Sequence, residues 1–176
     1  MSAQLPGVSL VLGGAASGKT AFAETLVTGT GRERVYIASA EAHDDEMRAK
    51  IDAHREARGP GWHTVEAPLD AGRTLAAIAG DRAVLFDCAT MWLSNHMMAG
   101  TPLDEAEAEL MAGLALCAAP VVIVSNELGH SVVPENPLAR RFQIAQGKLN
   151  QRLAARADLV VHVVAGLPQI LKGQLP

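Results

Sequence analysis

The sequence predicts an α/β fold in which a mainly parallel β-sheet is covered by helices on both faces. Short, almost continuously apolar segments alternate with longer helix-like segments, and strands of that composition are typical of a parallel sheet buried on both sides. The 176 residues are 49% apolar and 19% charged, which indicates a globular chain with a sizeable core. We expect one domain spanning residues 1–176. The predicted strands are 8–12, 34–38, 62–66, 83–86, 121–124 and 159–164.

A phosphate-binding loop follows the first predicted strand, and it defines the kind of α/β fold. The motif G-x-x-x-x-G-K-[ST] is matched without exception. Its glycines allow backbone N–H groups to surround a phosphate, and the following helix directs its positive end at the same anion. We therefore predict a P-loop NTPase of the RecA-like type. The loop residues are Gly13, Gly14, Ala15, Ala16, Ser17, Gly18, Lys19 and Thr20.

The helices are predicted from the segments between the strands. A segment without Gly or Pro predicts a helix over 41–58, and Gly59-Pro60-Gly61 ends it. An acidic start predicts an amphipathic helix over 103–119, which Pro120 stops. The remaining helix-like segments are 20–27, 70–79, 88–99 and 137–156.

Charge and composition exclude several classes of function. The net charge of −4 argues against a general nucleic-acid binder. No apolar run is long enough to span a membrane, and we expect a cytoplasmic protein. Cys88 and Cys117 have no metal-ligand spacing, so we interpret them as packing residues in a reducing compartment.

Polar residues at the ends of the strands are the candidate ligands, because sheets of this kind bind ligands outside the carboxyl ends of their strands. Lys19 would bind the β- and γ-phosphates, and the Thr20 hydroxyl could ligate Mg²⁺. Asp87 ends an apolar run, where phosphate-loop enzymes place the acid that holds Mg²⁺. Glu127, after the next strand, is the rival for that role. A helix cap or a solvated loop acid is the structural alternative for either.

The helix over 41–58 places Met47, Ile51, His54 and Arg58 on one face. One interpretation is structural: His54 lies at the edge of the core and Arg58 reaches out to water. The other is chemical. A neutral imidazole can attack a phosphorus atom, and Arg58 or Arg55 could stabilise the added charge.

The other histidines carry no readable chemistry. No two of them have a metal-ligand spacing, and His162 alternates with valines in a strand, which is typical of a structural residue. A solvated face is the better interpretation of the basic helix near the C-terminus. The histidines are His43, His63, His96, His130 and His162, and the basic residues are Arg140, Arg141, Lys148, Arg152 and Arg156.

Several motifs occurring together in order resemble a known family. The chain is similar to the bifunctional adenosylcobinamide kinase / adenosylcobinamide-phosphate guanylyltransferases of cobalamin synthesis, and the resemblance covers nearly the whole chain. His130-Ser131 departs from the glycine-containing turn that is usual in the family, and 166–169 are loosely matched. The motifs are Gly13–Thr20, Asp44–Met47 leading to Ile51–Arg55, Trp62 with Glu66, Asn126–Gly129, Val133–Asn136 and Leu149–Ala154.

The resemblance implies two reactions. Adenosylcobinamide is phosphorylated by ATP or GTP, and GMP then moves from GTP onto that phosphate through a GMP–histidine intermediate, with Mg²⁺ as the cofactor. The nucleophile's motif position matches His54, so the resemblance favours the chemical interpretation of that residue. The implied nucleotide contacts are Ala38, Ser39, Ala40, Arg55, Glu56, Ala57, Arg58, Glu66 and Asp87, besides the phosphate-binding loop.

The resemblance also implies a homotrimer, to which the stretch 91–98, with its Met and Trp residues, could contribute an interface. An ordinary core is an equally good interpretation of this stretch. Two other functions stay open on the residues alone. One is a P-loop kinase for another small molecule with a structural His54, and the other is a nucleotide-dependent switch or assembly ATPase.

Overall fold

A seven-stranded sheet forms the centre of the protein. The structure, a computed structural model, describes residues 4–176; residues 1–3 of the predicted domain lie outside this range. The elements in chain order are β1 Val8–Gly13, α1 Lys19–Thr28, β2 Glu33–Ala38, α2 Asp45–Arg58, β3 Trp62–Glu66, α3 Ala71–Ala76, β4 Arg82–Asp87, α4 Ala89–Ala99, α5 Leu103–Leu116, β5 Val121–Asn126, α6 Pro137–Arg156, β6 Leu159–Val164 and β7 Leu167–Lys172.

The strand order is β3-β2-β4-β5-β1-β6-β7. Every pairing is parallel except that of β6 with β7. Two apolar clusters cover the sheet. On one face, Ala23 and Val27 of α1 pack against the strands. On the other face, residues of α3, α4, α5 and α6 do so. The predicted parallel sheet with helices on both faces is confirmed.

Three helices are shorter than their predictions by three or more residues. Helix α2 begins at Asp45 and not at 41, because Asp44 is its N-cap and accepts a hydrogen bond from the Met47 N–H at 2.7 Å. Helix α3 is shorter than the predicted 70–79. Helix α5 ends at Leu116 and not at 119, and Cys117 is already extended. Pro120 has no N–H for the Leu116 carbonyl, four residues earlier, and its ring would clash with that carbonyl, so the helix ends before the proline.

Strand β7 is absent from the prediction. It follows a two-residue turn in which Ala165 and Gly166 both have positive φ, 51° and 76°, as a type I′ hairpin requires. All its residues are exposed, and Pro168, which has no N–H, is tolerated at the edge of the sheet. The Ala-Gly pair was the local signal for this hairpin.

Candidate active site

The loop between β1 and α1 has the conformation that a phosphate needs. Ala16 and Gly18 have φ of 54° and 91°, so the chain coils back on itself before α1. The Ser17 N–H donates to the Gly14 carbonyl at 3.3 Å, and Lys19 Nζ donates to the same carbonyl at 2.9 Å. Lys19 is thereby held over the N-terminus of α1, where the helix dipole also favours an anion.

Beside this loop, the carboxyl ends of three strands present polar side chains on the face of the sheet that α1 covers. Side chains alternate between the faces of a strand. Leu85 of β4 and Val122 and Val124 of β5 belong to the cluster that packs on α1. Asp87 lies two residues after Leu85, and Asn126 lies two residues after Val124. Their side chains are therefore on the face that α1 covers, at the end of α1 that carries Lys19. Tyr36 of β2 packs on the same cluster.

These residues line one cleft of about 860 Å³. The carboxyl ends of the strands form its floor, and α2 forms its wall. Of the residues predicted from the sequence, it brings together Lys19, Thr20, Ala38, Ala40, His54, Arg55, Arg58, Glu66 and Asp87.

The other predicted nucleotide contacts lie outside this lining. Residues 13–18 form the loop beside it. Glu56 and Ala57 are exposed on α2, away from the lining. Ser39 is fully buried; its hydroxyl donates to the Cys88 carbonyl at 2.7 Å and accepts from the Cys88 N–H at 2.8 Å. Ser39 therefore holds the backbone that carries Asp87, while its own side chain is occupied.

Helix α2 has no buried residue, which is unusual for a helix of 14 residues. The four residues predicted to share a face, Met47, Ile51, His54 and Arg58, all line the cleft. At the C-terminal end, Arg58 Cζ lies 3.4 Å from the centroid of the Tyr36 ring and 5.7 Å from that of Trp62. This cation–π contact anchors α2, the helix that carries His54, to the sheet.

The charges of the cleft are coupled. Burial raises the pKa of Asp87, whereas the hydrogen bond from Tyr36 and the neighbouring side chains of His54, Lys19 and Arg58 act to lower it. The Tyr36 hydroxyl donates to Asp87 Oδ2 at 2.9 Å. Burial lowers the pKa of Lys19, with Cys88 and Asp87 opposing it. The positive groups from α1 and α2 thus converge on one carboxylate.

Sequence reasoning missed Tyr36 and Glu24. Tyr36 lies inside an apolar strand, and no local pattern marks it. Burial raises the pKa of Glu24 on α1, and Arg58, Asp87 and His54 are its charged neighbours. The only available signal for Glu24 was its position four residues after Thr20, which places both residues on the same face of α1.

Thr20 and Asp87 are the candidate metal ligands that line the cleft. Among the described residues, no cluster of three His, Cys, Asp or Glu side chains could hold a metal by itself. A hydroxyl and a carboxylate beside a phosphate loop do suit Mg²⁺, which takes few protein ligands and completes its shell with phosphate and water. The rival acid Glu127 bends back to accept from the Gly129 N–H at 2.6 Å and lies outside the cleft lining.

The remaining predictions concern residues away from the cleft. The basic residues of α6 are mainly solvated, and Arg152 pairs with the buried Glu107. In the stretch 91–98, Trp92 and Leu93 are core residues, whereas Met98 is 77% exposed. Cys88 and Cys117 are both free. The Cys88 thiol caps α4, and burial raises its pKa to about 11.

Comparison with known proteins gives a family match over most of the chain. Residues 9–171 match the family model described as cobinamide kinase / cobinamide phosphate guanyltransferase. The bifunctional adenosylcobalamin biosynthesis protein CobP of Pseudomonas aeruginosa is 42% identical over 94% of this chain and 97% of its own length. The bifunctional adenosylcobalamin biosynthesis protein CobU of Salmonella typhimurium is 38% identical over 90% and 96%.

The fold is also found among solved structures of low sequence identity. A prototypical ATPase from the type III secretion system of pathogenic bacteria superposes with a TM-score of 0.60 at 12% identity, over 94% of this chain and 57% of that one. This likeness supports the P-loop NTPase fold. Between residues 4 and 176, the structure contains no helix that combines the length and apolarity needed to cross a membrane.

Proposed function

Because the chain belongs to the cobinamide kinase / cobinamide phosphate guanyltransferase family, we propose that it phosphorylates adenosylcobinamide and then attaches GMP to the product. The observation that carries the proposal is the cleft shared by Lys19 and His54. A kinase alone needs the loop, the lysine and an acid. A histidine on the opposite wall is what a second transfer, at a different phosphorus atom, requires.

In the first reaction, the substrate hydroxyl oxygen attacks the γ-phosphorus of a nucleoside triphosphate. The bond to the β,γ-bridging oxygen breaks, the nucleoside diphosphate leaves, and the hydroxyl proton is released. Lys19 and the loop N–H groups offset the charge of the phosphates. Thr20 and Asp87 would hold Mg²⁺, which when bound would neutralise phosphate charge. ATP or GTP suits this step, since the loop contacts only phosphates.

In the second reaction, a ring nitrogen of neutral His54 attacks the α-phosphorus of GTP. The bond to the α,β-bridging oxygen breaks and pyrophosphate leaves. A phosphate oxygen of adenosylcobinamide phosphate then attacks the same phosphorus, the N–P bond breaks, and adenosylcobinamide-GDP forms. Arg55 and Arg58, which share the cleft with His54, are suited to stabilise the charge in both displacements.

The proposal includes the cell compartment and the assembly. The proposed compartment is the cytoplasm, where the enzyme would meet its corrinoid and nucleotide substrates. We propose a homotrimer and no nucleic-acid partner, in keeping with the net charge of −4.

Labelling of the protein tests the proposal directly. Pure protein is incubated with Mg²⁺ and GTP labelled at the α-phosphate, run on a denaturing gel, and the band is treated with acid or alkali. We expect label that is lost in acid, survives alkali and is absent from His54→Asn. If no label appears with or without adenosylcobinamide phosphate, the transferase half of the proposal is wrong. A kinase for another small molecule would then remain.

A further inference from the structure

Asn126, the last residue of β5, is held by a buried polar network while its own amide group is left for the cleft. Its N–H donates to Thr90 Oγ1 at 2.8 Å, and its carbonyl accepts from Asn150 Nδ2 at 3.0 Å. Both bonds use the backbone of Asn126. No hydrogen bond joins its side-chain amide to another residue within 4–176, and Asn126 lines the cleft.

The network behind Asn126 is buried, and its side chains bond to one another, except that Gln146 Oε1 has no partner among the described residues. The Ser125 hydroxyl donates to Asn150 Oδ1 at 2.6 Å, and Gln146 Nε2 donates to the same oxygen at 2.9 Å. Ser125 and Gln146 are fully buried. The hydrogen bonds among Ser125, Gln146 and Asn150 limit the movement of each partner, and so hold the backbone of Asn126 in place.

The position of Asn126 in the sheet points to the end of a bound triphosphate. Strand β5 lies between β1 and β4, and Asn126 is in register with Gly13, the first residue of the loop. Asp87 is in register with Val124, two residues earlier on the same face of β5. The amide of Asn126 therefore lies between the phosphate loop and the Asp87 carboxylate, on the face where α1 presents Lys19.

We infer that Asn126 binds the terminal phosphate group of the triphosphate and donates a hydrogen bond from Nδ2 to one of its oxygens during phosphoryl transfer. A neutral amide suits this place because Lys19 and the helix dipole already supply positive charge, and the amide adds direction without another charge. The inference rests on the proposed kinase reaction. The α-phosphorus, which His54 attacks, lies farther along the nucleotide, so Asn126 serves the first reaction only.

The experiment compares Asn126→Ala with Asn126→Asp, which keeps the size of the side chain but cannot donate when ionised. Gln151→Ala is the matched control, since it removes an exposed amide from α6. Each protein is assayed for phosphorylation of adenosylcobinamide by ATP, with kcat and both KM values, and for its labelling by GTP carrying the α-phosphate label.

We expect kcat of the kinase to fall about 100-fold in both Asn126 variants, as when one transition-state donor is removed, with labelling by GTP within threefold of the original protein. Kinase activity that persists in both variants overturns the inference. So does an equal loss of kinase and labelling in variants with unchanged melting temperature. A wild-type protein that does not phosphorylate adenosylcobinamide overturns the proposed function, and this inference with it.

Discussion

The Arg58 guanidinium carbon lies 3.4 Å from the centroid of the Tyr36 ring, whose hydroxyl donates to Asp87 at 2.9 Å. One side chain thus contacts both the helix that carries His54 and the acid at the end of β4. The ring and the hydroxyl make separate contacts, so substitutions can separate them.

Tyr36→Leu removes both contacts, whereas Tyr36→Phe keeps the aromatic face under Arg58. We expect Tyr36→Leu to slow formation of the GMP–protein about 10-fold more than Tyr36→Phe does, because a cation–π contact contributes roughly 1 to 2 kcal/mol. Single-turnover labelling by GTP measures this rate. Equal slowing in the two variants would show that the hydroxyl, and not the ring, carries the effect.

His54→Asn is expected to abolish labelling and to retain most of the kinase rate, since the terminal phosphate does not react with the histidine. His63→Asn is the control: His63 is exposed on β3 and lies outside the cleft lining. Steady-state phosphorylation of adenosylcobinamide by ATP is the measurement. Loss of both activities to the same extent would refute the separation of roles between Lys19 and His54.

Lys19→Ala is expected to lower both activities more than 100-fold, because one lysine serves the triphosphate in both reactions. Lys148→Ala, an exposed lysine of α6, controls for the loss of a positive charge. The two assays above measure the effect. A Lys19 variant that still forms the GMP–protein at the original rate would mean that the two reactions bind the triphosphate differently.

Glu24→Gln is expected to stabilise the protein at neutral pH, by up to about 1 kcal/mol for a half-buried charge. Burial raises the pKa of Glu24 above its ordinary value of 4.5. The folded protein therefore holds this proton more tightly than the unfolded chain, and stability falls as pH rises between the two pKa values. The gain should vanish below pH 4.5 and be complete above the raised value. Thermal unfolding at several pH values measures it, and a Gln variant less stable at pH 7 would mean that attraction to Arg58 outweighs burial.

Gly13→Ala and Gly14→Ala form a matched pair within the loop. A Cβ on Gly13 would lie 2.8 Å from the Val163 carbonyl oxygen and would also collide with the Ser17 side chain, whereas one on Gly14 meets nothing within 4 Å. We expect Gly13→Ala to lower the free energy of unfolding by roughly 1 to 3 kcal/mol and Gly14→Ala to change it little. Urea unfolding gives both values. Similar values for the two variants would contradict the close approach of the loop to β6.

Local patterns sufficed where a residue's role depends on its neighbours in the chain. The order strand, glycine loop, Lys19, helix could be recognised directly, and Asp87 was found because an acid ended an apolar run. The start of α2 was readable too, since Asp44 is a good N-cap three residues before Met47, but the absence of Gly and Pro over 41–58 suggested a longer helix. The roles of His54 and its neighbours came from resemblance to a family, since spacing alone favoured a structural histidine.

Local patterns along the chain identify the loop, the strands and the acids and cations that could bind a phosphate. The folded structure was needed to show which residues at the strand ends share the face of the sheet that α1 covers. Asp87 and Asn126 lie on it, while the Ser39 hydroxyl bonds to the Cys88 backbone and the Ser125 hydroxyl to the Asn150 side chain. The reason is that parallel strands meet through long crossovers, so strand order and register, which no local pattern encodes, place Tyr36, Asp87 and Asn126 side by side.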